Sequence, residues 1–170
     1  MDLKEHIRSV PDFPQAVILF YDITTLLRDA QGFKATIDQL SLPYRGQGIE
    51  AVVGIESRGF ILGAAVAQEL GAGFIPVRKP GKLPAKAIKE SYSLEYGKDA
   101  LEIHADAIDK GQKVLVVDDV LATGGTAAAT ARLVRSLGGD LRGMAFLIEL
   151  LFLDGKAKLA GEQVFSVLKY

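Results

Sequence analysis

Cysteine and tryptophan are both absent from the 170 residues of this chain, and histidine occurs only twice. Without cysteine there are no disulfides, thiolate metal ligands or cysteine nucleophiles. His6 and His104 lie far apart in the sequence, and neither has the neighbouring carboxylates that a zinc site or a Ser-His-Asp triad requires. We therefore do not expect a zinc enzyme or a triad hydrolase.

Charge of neither sign is in excess, since Lys and Arg total 20, Asp and Glu total 21, and the net charge is −1. Such a chain has no overall attraction for nucleic acid or an anionic membrane, so we expect anion binding to be local. The most apolar stretch, residues 144–153, is about half as long as a membrane span requires. The first residues carry both charges and do not lead into an apolar secretory signal. The sequence predicts a cytoplasmic protein with no nucleic-acid and no membrane partner.

Apolar runs alternate with helical patterns along the chain. The runs at 51–55 and 113–117 are typical of parallel strands buried on both faces, and each is followed by a helical pattern and another apolar run. Two such βαβ units predict an α/β fold, here as a single domain over residues 1–170. The predicted helices are 3–10, 33–40, 59–70, 125–137 and 154–160, and the predicted strands are 17–20, 51–55, 74–77, 113–117, 141–150 and 164–168.

Residues 78–109 connect the two βαβ units and are richer in Lys, Pro and Gly than their surroundings. Within them, residues 91–103 alternate loosely between apolar and polar side chains, as a β-hairpin does. We predict a cationic loop followed by a mobile flap.

Two adjacent carboxylates, Asp118 and Asp119, follow the apolar run 113–117, and a loop of small residues then leads into a helix. Ligands of open α/β sheets bind at the carboxyl ends of strands. The loop offers backbone N–H groups, two hydroxyls and the positive end of a helix, which together suit a phosphate monoester. Two neighbouring carboxylates can accept hydrogen bonds from a vicinal diol, so ribose 5-phosphate fits the segment. The loop residues are Ala122, Thr123, Gly124, Gly125 and Thr126.

Other uses of this segment are less consistent with its residues. The loop contains no lysine, unlike a Walker A loop, and it does not have the Gly-x-Gly-x-x-Gly spacing of a dinucleotide turn. The remaining alternative is an ordinary βα turn, in which the two acids merely end a strand. The combination of an apolar strand, two acids and a small-residue loop favours the sugar-phosphate site.

Residues 114–126 resemble the motif with which type I phosphoribosyltransferases bind phosphoribosyl pyrophosphate (PRPP). The Leu-Ala-Thr-Gly-Gly-Thr ending is similar to that of the adenine-specific members, and further ordered motifs agree at 20–27, 54–60, 76–84 and 91–97. The resemblance implies a parallel twisted sheet flanked by helices, with a mobile flap (hood) over the site. It also implies transfer of the 5-phosphoribosyl group from PRPP to adenine, which gives AMP and pyrophosphate in purine salvage.

The resemblance assigns roles to the segments at the strand ends. Asp118 and Asp119 are expected to hold the ribose hydroxyls, and residues 122–126 the 5-phosphate. The residues Glu56, Ser57 and Arg58 occupy the position where the family binds pyrophosphate, often with a cis peptide before the serine. Alternatively, Arg58 is only a cation on a helix surface.

The flap and the cationic loop are implied to complete the site. Glu95 matches the flap glutamate that the family places near the base, so a catalytic role is implied for it beside Arg58, Asp118 and Asp119; alternatively it is a surface carboxylate. The loop residues Arg78, Lys79 and Lys82 are implied to grip pyrophosphate, in many members from the neighbouring subunit. The resemblance thus predicts a homodimer with a shared active site, and Mg²⁺ held mainly by PRPP and water. The alternatives for the loop are a solvated face or a weak nucleic-acid patch, and the net charge near zero argues against the patch.

The adenine pocket is the part in which the sequence departs from the family. The residues implied to line it are Leu19, Phe20 and Tyr21, with Leu150 on the opposite face, and each is also compatible with an ordinary core position. Many relatives carry a basic residue where Tyr21 stands, so a contact that needs that charge is missing here.

Two other functions remain open at this point. One is phosphoribosyl transfer to another base, such as xanthine or orotate. The other is a PRPP-sensing regulator of transcription, which would keep the phosphate loop without catalysis. Retention of Glu95, Arg58 and the cationic loop favours an enzyme.

Overall fold

The computed structural model of the chain describes residues 1–94 and 96–170. Among the residues it describes, no helix has both the length and the apolar character needed to cross a membrane. The strands are β1 Arg8–Pro11, β2 Leu19–Asp22, β3 Ala51–Ile55, β4 Gly73–Val77, β5 Ala87–Ser93, β6 Lys98–His104, β7 Lys113–Leu121, β8 Asp140–Glu149 and β9 Val164–Lys169. The α-helices are α1 Thr24–Leu27, α2 Ala30–Ser41, α3 Arg58–Leu70 and α4 Gly125–Ser136, and short 3₁₀ helices span Leu3–His6, Leu42–Tyr44, Leu151–Leu153 and Gly155–Leu159.

The main sheet has five strands in the order β4-β3-β7-β8-β9. All four pairings in it are parallel. Alternate residues of the central strand β7 enter two different apolar clusters: Val116 packs with Leu133 of α4, and Leu115 packs with Leu62 of α3. The sheet is therefore covered by helices on both faces, which confirms the predicted α/β architecture.

Local sequence signals set the ends of the flanking helices. The Asp29 carboxylate accepts a hydrogen bond from the Gly32 N–H at 3.2 Å, so Asp29 is the N-cap of α2. Gly71 ends α3 with φ of +68°, a left-handed conformation that glycine adopts without a side-chain clash. Both ends agree with the sequence pattern.

The segment between the βαβ units forms an antiparallel hairpin of β5 and β6. Leu101 and Ile103 of β6 are fully buried in the same cluster as α4, so the base of the hairpin packs on the main body. The predicted hairpin is confirmed; its mobility as a flap stays a prediction.

The prediction of an N-terminal helix over residues 3–10 is wrong beyond His6. A 3₁₀ helix ends there, and β1 then pairs antiparallel with β2, with Val10 opposite Phe20. The helical spacing of three apolar residues was too short a pattern to distinguish a helix from a strand whose partner lies ten residues on. The strand predicted at 17–20 begins two residues later, and Val17 is 95% exposed.

Two further boundaries differ from the predictions. Strand β7 continues to Leu121, so Asp118 and Asp119 lie within the strand instead of after it, because the parallel pairing with β8 extends to Leu121↔Glu149. The helix predicted over residues 154–160 is a 3₁₀ helix, Gly155–Leu159.

Candidate active site

The carboxyl ends of β3, β7 and β8 lie side by side because these strands are parallel neighbours. Residues far apart in the sequence therefore meet at one edge of the sheet. They are Glu56, Ser57 and Arg58 after β3, Asp118 to Thr126 at the end of β7, and Leu150 after β8.

The two acids of β7 are almost completely buried, with Asp118 8% and Asp119 7% exposed. The Asp119 N–H donates to Asp118 Oδ1 at 2.9 Å. Asp118 also lies against the first turn of α3, where a Cβ on Gly59 would be only 2.7 Å from Asp118 Oδ1. Burial, together with the neighbouring charge of Asp119, raises the pKa of Asp118 well above its ordinary value. A buried acid pair of this kind is costly to maintain without a role.

Arg58 joins the acid pair to the N-terminal strand β2. Its Nε donates to Asp119 Oδ2 at 2.5 Å, and its guanidinium carbon lies 5.5 Å from the centroid of the Phe20 ring. One side chain thus contacts a residue predicted to bind ribose and a residue predicted to bind the base. These contacts favour a place in the site over the alternative of a helix-surface cation, and the pyrophosphate role of Arg58 stays a prediction.

Glu56, directly after β3, contacts the three cationic-loop residues Arg78, Lys79 and Lys82. It accepts hydrogen bonds from the Lys79 N–H at 2.6 Å and from Lys82 Nζ at 2.5 Å, and Arg78 Nε lies 3.6 Å from its Oε1. Burial opposes ionisation of Glu56, but the hydrogen bonds from Lys82 and Lys79 outweigh it and lower the pKa. The peptide bond between Glu56 and Ser57 is cis, as the resemblance implied.

Lys79 also ties the cationic loop to the hairpin. Its Nζ forms an ion pair with Asp99 of β6 and donates to the Tyr92 hydroxyl at 3.3 Å. Loop and hairpin are therefore linked through one lysine.

The loop after β7 has the geometry of an anion-binding turn. Gly124 is the N-cap of α4, a helix of twelve residues, and has a φ of +88°. The N–H groups in the first turn of a helix have no acceptor within the helix and are free to bind an anion. The ring of Tyr92, from β5, covers the loop, since a Cβ on Gly125 would lie 3.1 Å from its Cδ2. The five predicted phosphate residues, 122–126, are contiguous in this turn.

Gly155 is a neighbour of the phosphate loop that the sequence reasoning missed. Its carbonyl oxygen lies 2.4 Å from the position of a Cβ on Gly124, and a Cβ on Gly155 would lie 2.4 Å from the Ala122 carbonyl oxygen. Two backbones therefore touch at a point where neither admits a side chain. The Asp154-Gly155 pair was visible as a turn signal, but its distance from the loop in sequence hid the contact.

The four residues predicted to line the base pocket lie on two segments. Tyr21 of β2 and Leu150 after β8 are partly buried and pack against the same apolar cluster, whereas Leu19 is 47% exposed. Leu150 donates its N–H to the Leu121 carbonyl at 3.0 Å, at the end of β7. Phe20 reaches the acid pair through Arg58, as described above.

Glu95, the predicted flap acid, lies outside the described residues, so its role stays a prediction. Within residues 1–94 and 96–170, no group of three or more His, Asp or Glu side chains is arranged to hold a metal ion.

The strand-end acids, the turn into α4 and the cation-rich neighbour lie together as predicted for a phosphorylated-sugar site, and comparison with known proteins assigns the class. Residues 23–159 match the family described as "Phosphoribosyl transferase domain". The adenine phosphoribosyltransferase of Acidobacterium capsulatum is 58% identical over 99% of this chain and 93% of its own length. That of Solibacter usitatus is 58% identical over 99% of this chain and 98% of its own.

Solved structures agree with the sequence relatives. The crystal structure of adenine phosphoribosyltransferase from Thermoanaerobacter pseudethanolicus superposes with a TM-score of 0.97 at 50% identity, covering 99% of this chain and 98% of that one. The enzyme from Saccharomyces cerevisiae, in complex with an imino-altritol bisphosphate and adenine, gives a TM-score of 0.93 at 42% identity, covering 98% and 97%. The chain belongs to the adenine phosphoribosyltransferase family.

Proposed function

We propose that this protein transfers the 5-phosphoribosyl group of PRPP to adenine and releases AMP and pyrophosphate. The family relationship confirms the activity expected from the sequence. Within the chain, the observation that carries the proposal is the buried acid pair Asp118 and Asp119, which is followed directly by the α4 phosphate turn and joined to β2 by Arg58.

Ribose 5-phosphate is proposed to bind along the end of β7. The carboxylates of Asp118 and Asp119 would accept hydrogen bonds from the two ribose hydroxyls, and charge-assisted hydrogen bonds of this kind are stronger than neutral ones. The phosphate would lie against the N–H groups of residues 122–126, where the helix dipole favours negative charge. Binding at both ends of the sugar fixes C1 toward the edge of the sheet.

Pyrophosphate is proposed to leave toward Glu56, Ser57, Arg58 and the cationic loop. As its bond to C1 breaks, negative charge develops on the leaving group and positive charge on the ribose ring. Arg58 and the cations of Arg78, Lys79 and Lys82 would stabilise the former, each well-placed donor contributing on the order of 3 kcal/mol. Their present partners are the carboxylates of Asp119, Glu56 and Asp99, which would be exchanged for pyrophosphate oxygens.

A Mg²⁺ ion fits this chemistry. Asp118 and Asp119 are proposed to hold the ribose hydroxyls, so no direct protein ligand is proposed for the ion, and Mg²⁺ prefers oxygen ligands and keeps several waters. PRPP oxygens and water would therefore supply most of its coordination. Bound there, the ion would neutralise charge on the departing pyrophosphate.

Adenine is proposed to bind between β2 and Leu150 and to attack C1 through N9 from the face opposite pyrophosphate. The apolar side chains of Leu19, Phe20 and Tyr21 would cover the base, with backbone groups reading its edge. Glu95 is proposed to manage the proton or orientation of the purine when the flap closes and excludes water.

One panel of assays distinguishes the proposed activity from the alternative functions. Adenine, guanine, hypoxanthine, xanthine and orotate are each incubated with PRPP and Mg²⁺, and nucleotide formation is measured. We expect turnover with adenine. Faster turnover of xanthine or orotate would identify that base, and not adenine, as the acceptor. Binding of PRPP in calorimetry without turnover of any base would favour the PRPP-sensing transcription regulator.

The oligomeric site is a separate proposal. We propose a homodimer in which the cationic loop of one subunit completes the partner's site. Within one chain, however, Glu56 already holds Lys82 and Arg78 beside the strand ends, so the loop also has access to its own site.

Subunit mixing distinguishes a shared site from a site within one chain. Asp118→Asn/Asp119→Asn protein is mixed, under exchange conditions, with protein in which Arg78, Lys79 and Lys82 are replaced by Ala. A shared site recovers about a quarter of wild-type activity, because half of the dimers are mixed and each of these has one intact site. Recovery of no activity contradicts a shared site.

We further propose that residues 1–170 form one domain and that the protein works in the cytoplasm. The family match covers residues 23–159, and the remaining segments pack against the same apolar clusters, since Leu3 and Val167 both join one of them. Limited proteolysis that yields one resistant core, and localisation in the soluble fraction of cells, are the expected results.

A further inference from the structure

Tyr170 stacks on one of the residues predicted to line the base pocket. Its ring centroid is 4.1 Å from that of Tyr21, with an interplanar angle of 33°. Lys4, from the N-terminal 3₁₀ helix, places its Nζ 4.4 Å from the centroid of the Tyr170 ring and donates to the Lys169 carbonyl at 2.6 Å. Two aromatic rings and a lysine thus connect the N-terminal residues, β2 and the end of β9.

The backbone of Tyr170 holds the opposite side of the same pocket. Its N–H donates to the Glu149 carbonyl at 3.0 Å, and its carbonyl accepts from the Leu151 N–H at 2.9 Å. These two partners flank Leu150 directly. One residue therefore contacts both walls proposed for the adenine pocket, through its ring on one side and its main chain on the other.

Strand β2 needs such a contact. It belongs to a two-stranded sheet with β1 that is separate from the main sheet, and an isolated two-stranded ribbon is only marginally stable in water. The stack of Tyr21 on Tyr170 attaches this ribbon to the edge of the main sheet. A shift of β2 would move the backbone groups proposed to read the base, while the phosphate turn after β7 would keep its place.

We propose that Tyr170 is a positioning residue for the acceptor base: it fixes the distance between β2 and Leu150 and so determines the affinity for adenine. This inference rests on the proposed phosphoribosyl transfer to adenine. It assigns to Tyr170 a larger effect on adenine than on PRPP, because the PRPP groups lie on other elements, although Arg58 among them contacts Phe20 of β2.

The test compares KM values for the two substrates. Tyr170→Leu removes the aromatic stack and is expected to raise KM for adenine about three- to tenfold, the range that an aromatic pair supports, with KM for PRPP changed less than about twofold. Tyr170→Phe keeps the ring and is expected to restore the wild-type value. Phe152→Leu, on the adjacent 3₁₀ helix and 76% exposed, is the matched control and is expected to match wild type.

Equal rises in both KM values, or a loss of kcat alone, would reduce Tyr170 to a general stabilising role and overturn the proposal. If Tyr170→Leu does not fold, Tyr21→Leu removes the same stack from the other side, and an unchanged KM for adenine in that variant overturns it as well. Wild-type protein that turns over no adenine rejects the proposed function itself; an active wild type with an unaffected Tyr170→Leu variant rejects only this inference.

Discussion

The two halves of the candidate site are built in different ways. The sugar-phosphate half is one continuous segment, with Asp118 and Asp119 in β7 and the turn into α4 following directly. The base and pyrophosphate half is assembled from β2, the start of α3, the cationic loop, the hairpin and Tyr170. The first half depends on local geometry, and the second depends on contacts between distant segments. Substitutions in the first half should therefore affect PRPP, whereas those in the second half should affect adenine or PRPP according to the segment that is changed.

The largest effect is expected from removing the acid pair. Asp118→Asn/Asp119→Asn keeps the shape of both side chains but removes their charge, so the hydrogen bonds from the ribose hydroxyls become neutral and the positive charge that develops on the ribose loses its counter-charge. We expect turnover at saturating adenine to fall about a hundredfold, with two charged hydrogen bonds lost at about 1.5 kcal/mol or more each. Steady-state kinetics on folded protein measure it.

The exposed carboxylate Asp106 provides the control for that variant, because Asp106→Asn makes the same chemical change in the turn after β6, at a residue that is assigned no role in the site. Its kinetics should equal wild type. Unchanged turnover in the double variant would contradict the proposal that Asp118 and Asp119 bind the two ribose hydroxyls.

The next effect tests the backbone contact beneath the phosphate turn. In Gly155→Ala the new Cβ would lie 2.4 Å from the Ala122 carbonyl oxygen, so the turn must move. We expect KM for PRPP to rise about tenfold while KM for adenine changes little, since overpacking of this kind costs roughly 1–3 kcal/mol. Gly73→Ala, where the nearest atom is 3.9 Å away, is the matched control. A rise in KM for adenine with an unchanged KM for PRPP would contradict the assignment of this turn to the 5-phosphate.

Burial of Asp118 gives a prediction about stability instead of turnover. Because burial and the Asp119 charge raise the pKa of Asp118, the folded protein binds a proton that the unfolded chain releases at the ordinary carboxyl pKa. The free energy of unfolding therefore decreases as the pH rises from the ordinary carboxyl range through the raised value. Asp118→Asn removes this dependence, so the variant should gain stability over wild type as the pH increases.

Urea unfolding between about pH 4 and about pH 8 measures this difference. Asp106→Asn should show no comparable pH-dependent gain. A stability gain of Asp118→Asn that is largest in acid would contradict the direction of the shift. The expected gain also implies that the acid pair is retained for its function at a cost in stability.

The same division between local and distant contacts explains what the sequence could predict. The sequence predicts strand β3 over its full length and the turn from β7 into α4, because apolar runs, adjacent acids and glycines are visible within a short window. The pairing of β1 with β2, the Gly155 contact and the Tyr21–Tyr170 stack depend on residues that meet only after folding. The extension of β7 through Asp118 and Asp119 was missed because propensity disfavours acids in strands, while pairing with β8 outweighs it.

The smallest effect is expected where the cationic loop meets the hairpin. Lys79 pairs with Asp99, and both side chains are about one-third exposed, so solvent weakens the pair. If Lys79 exchanges this partner for pyrophosphate, Asp99→Asn should lower KM for PRPP about twofold, within the range of a surface ion pair. Asp140→Asn, which breaks the exposed pair with Arg142 at the amino end of β8, is the control. A higher KM for PRPP in Asp99→Asn would mean that Asp99 holds Lys79 in its binding position, and the hairpin would then belong to the pyrophosphate site before PRPP arrives.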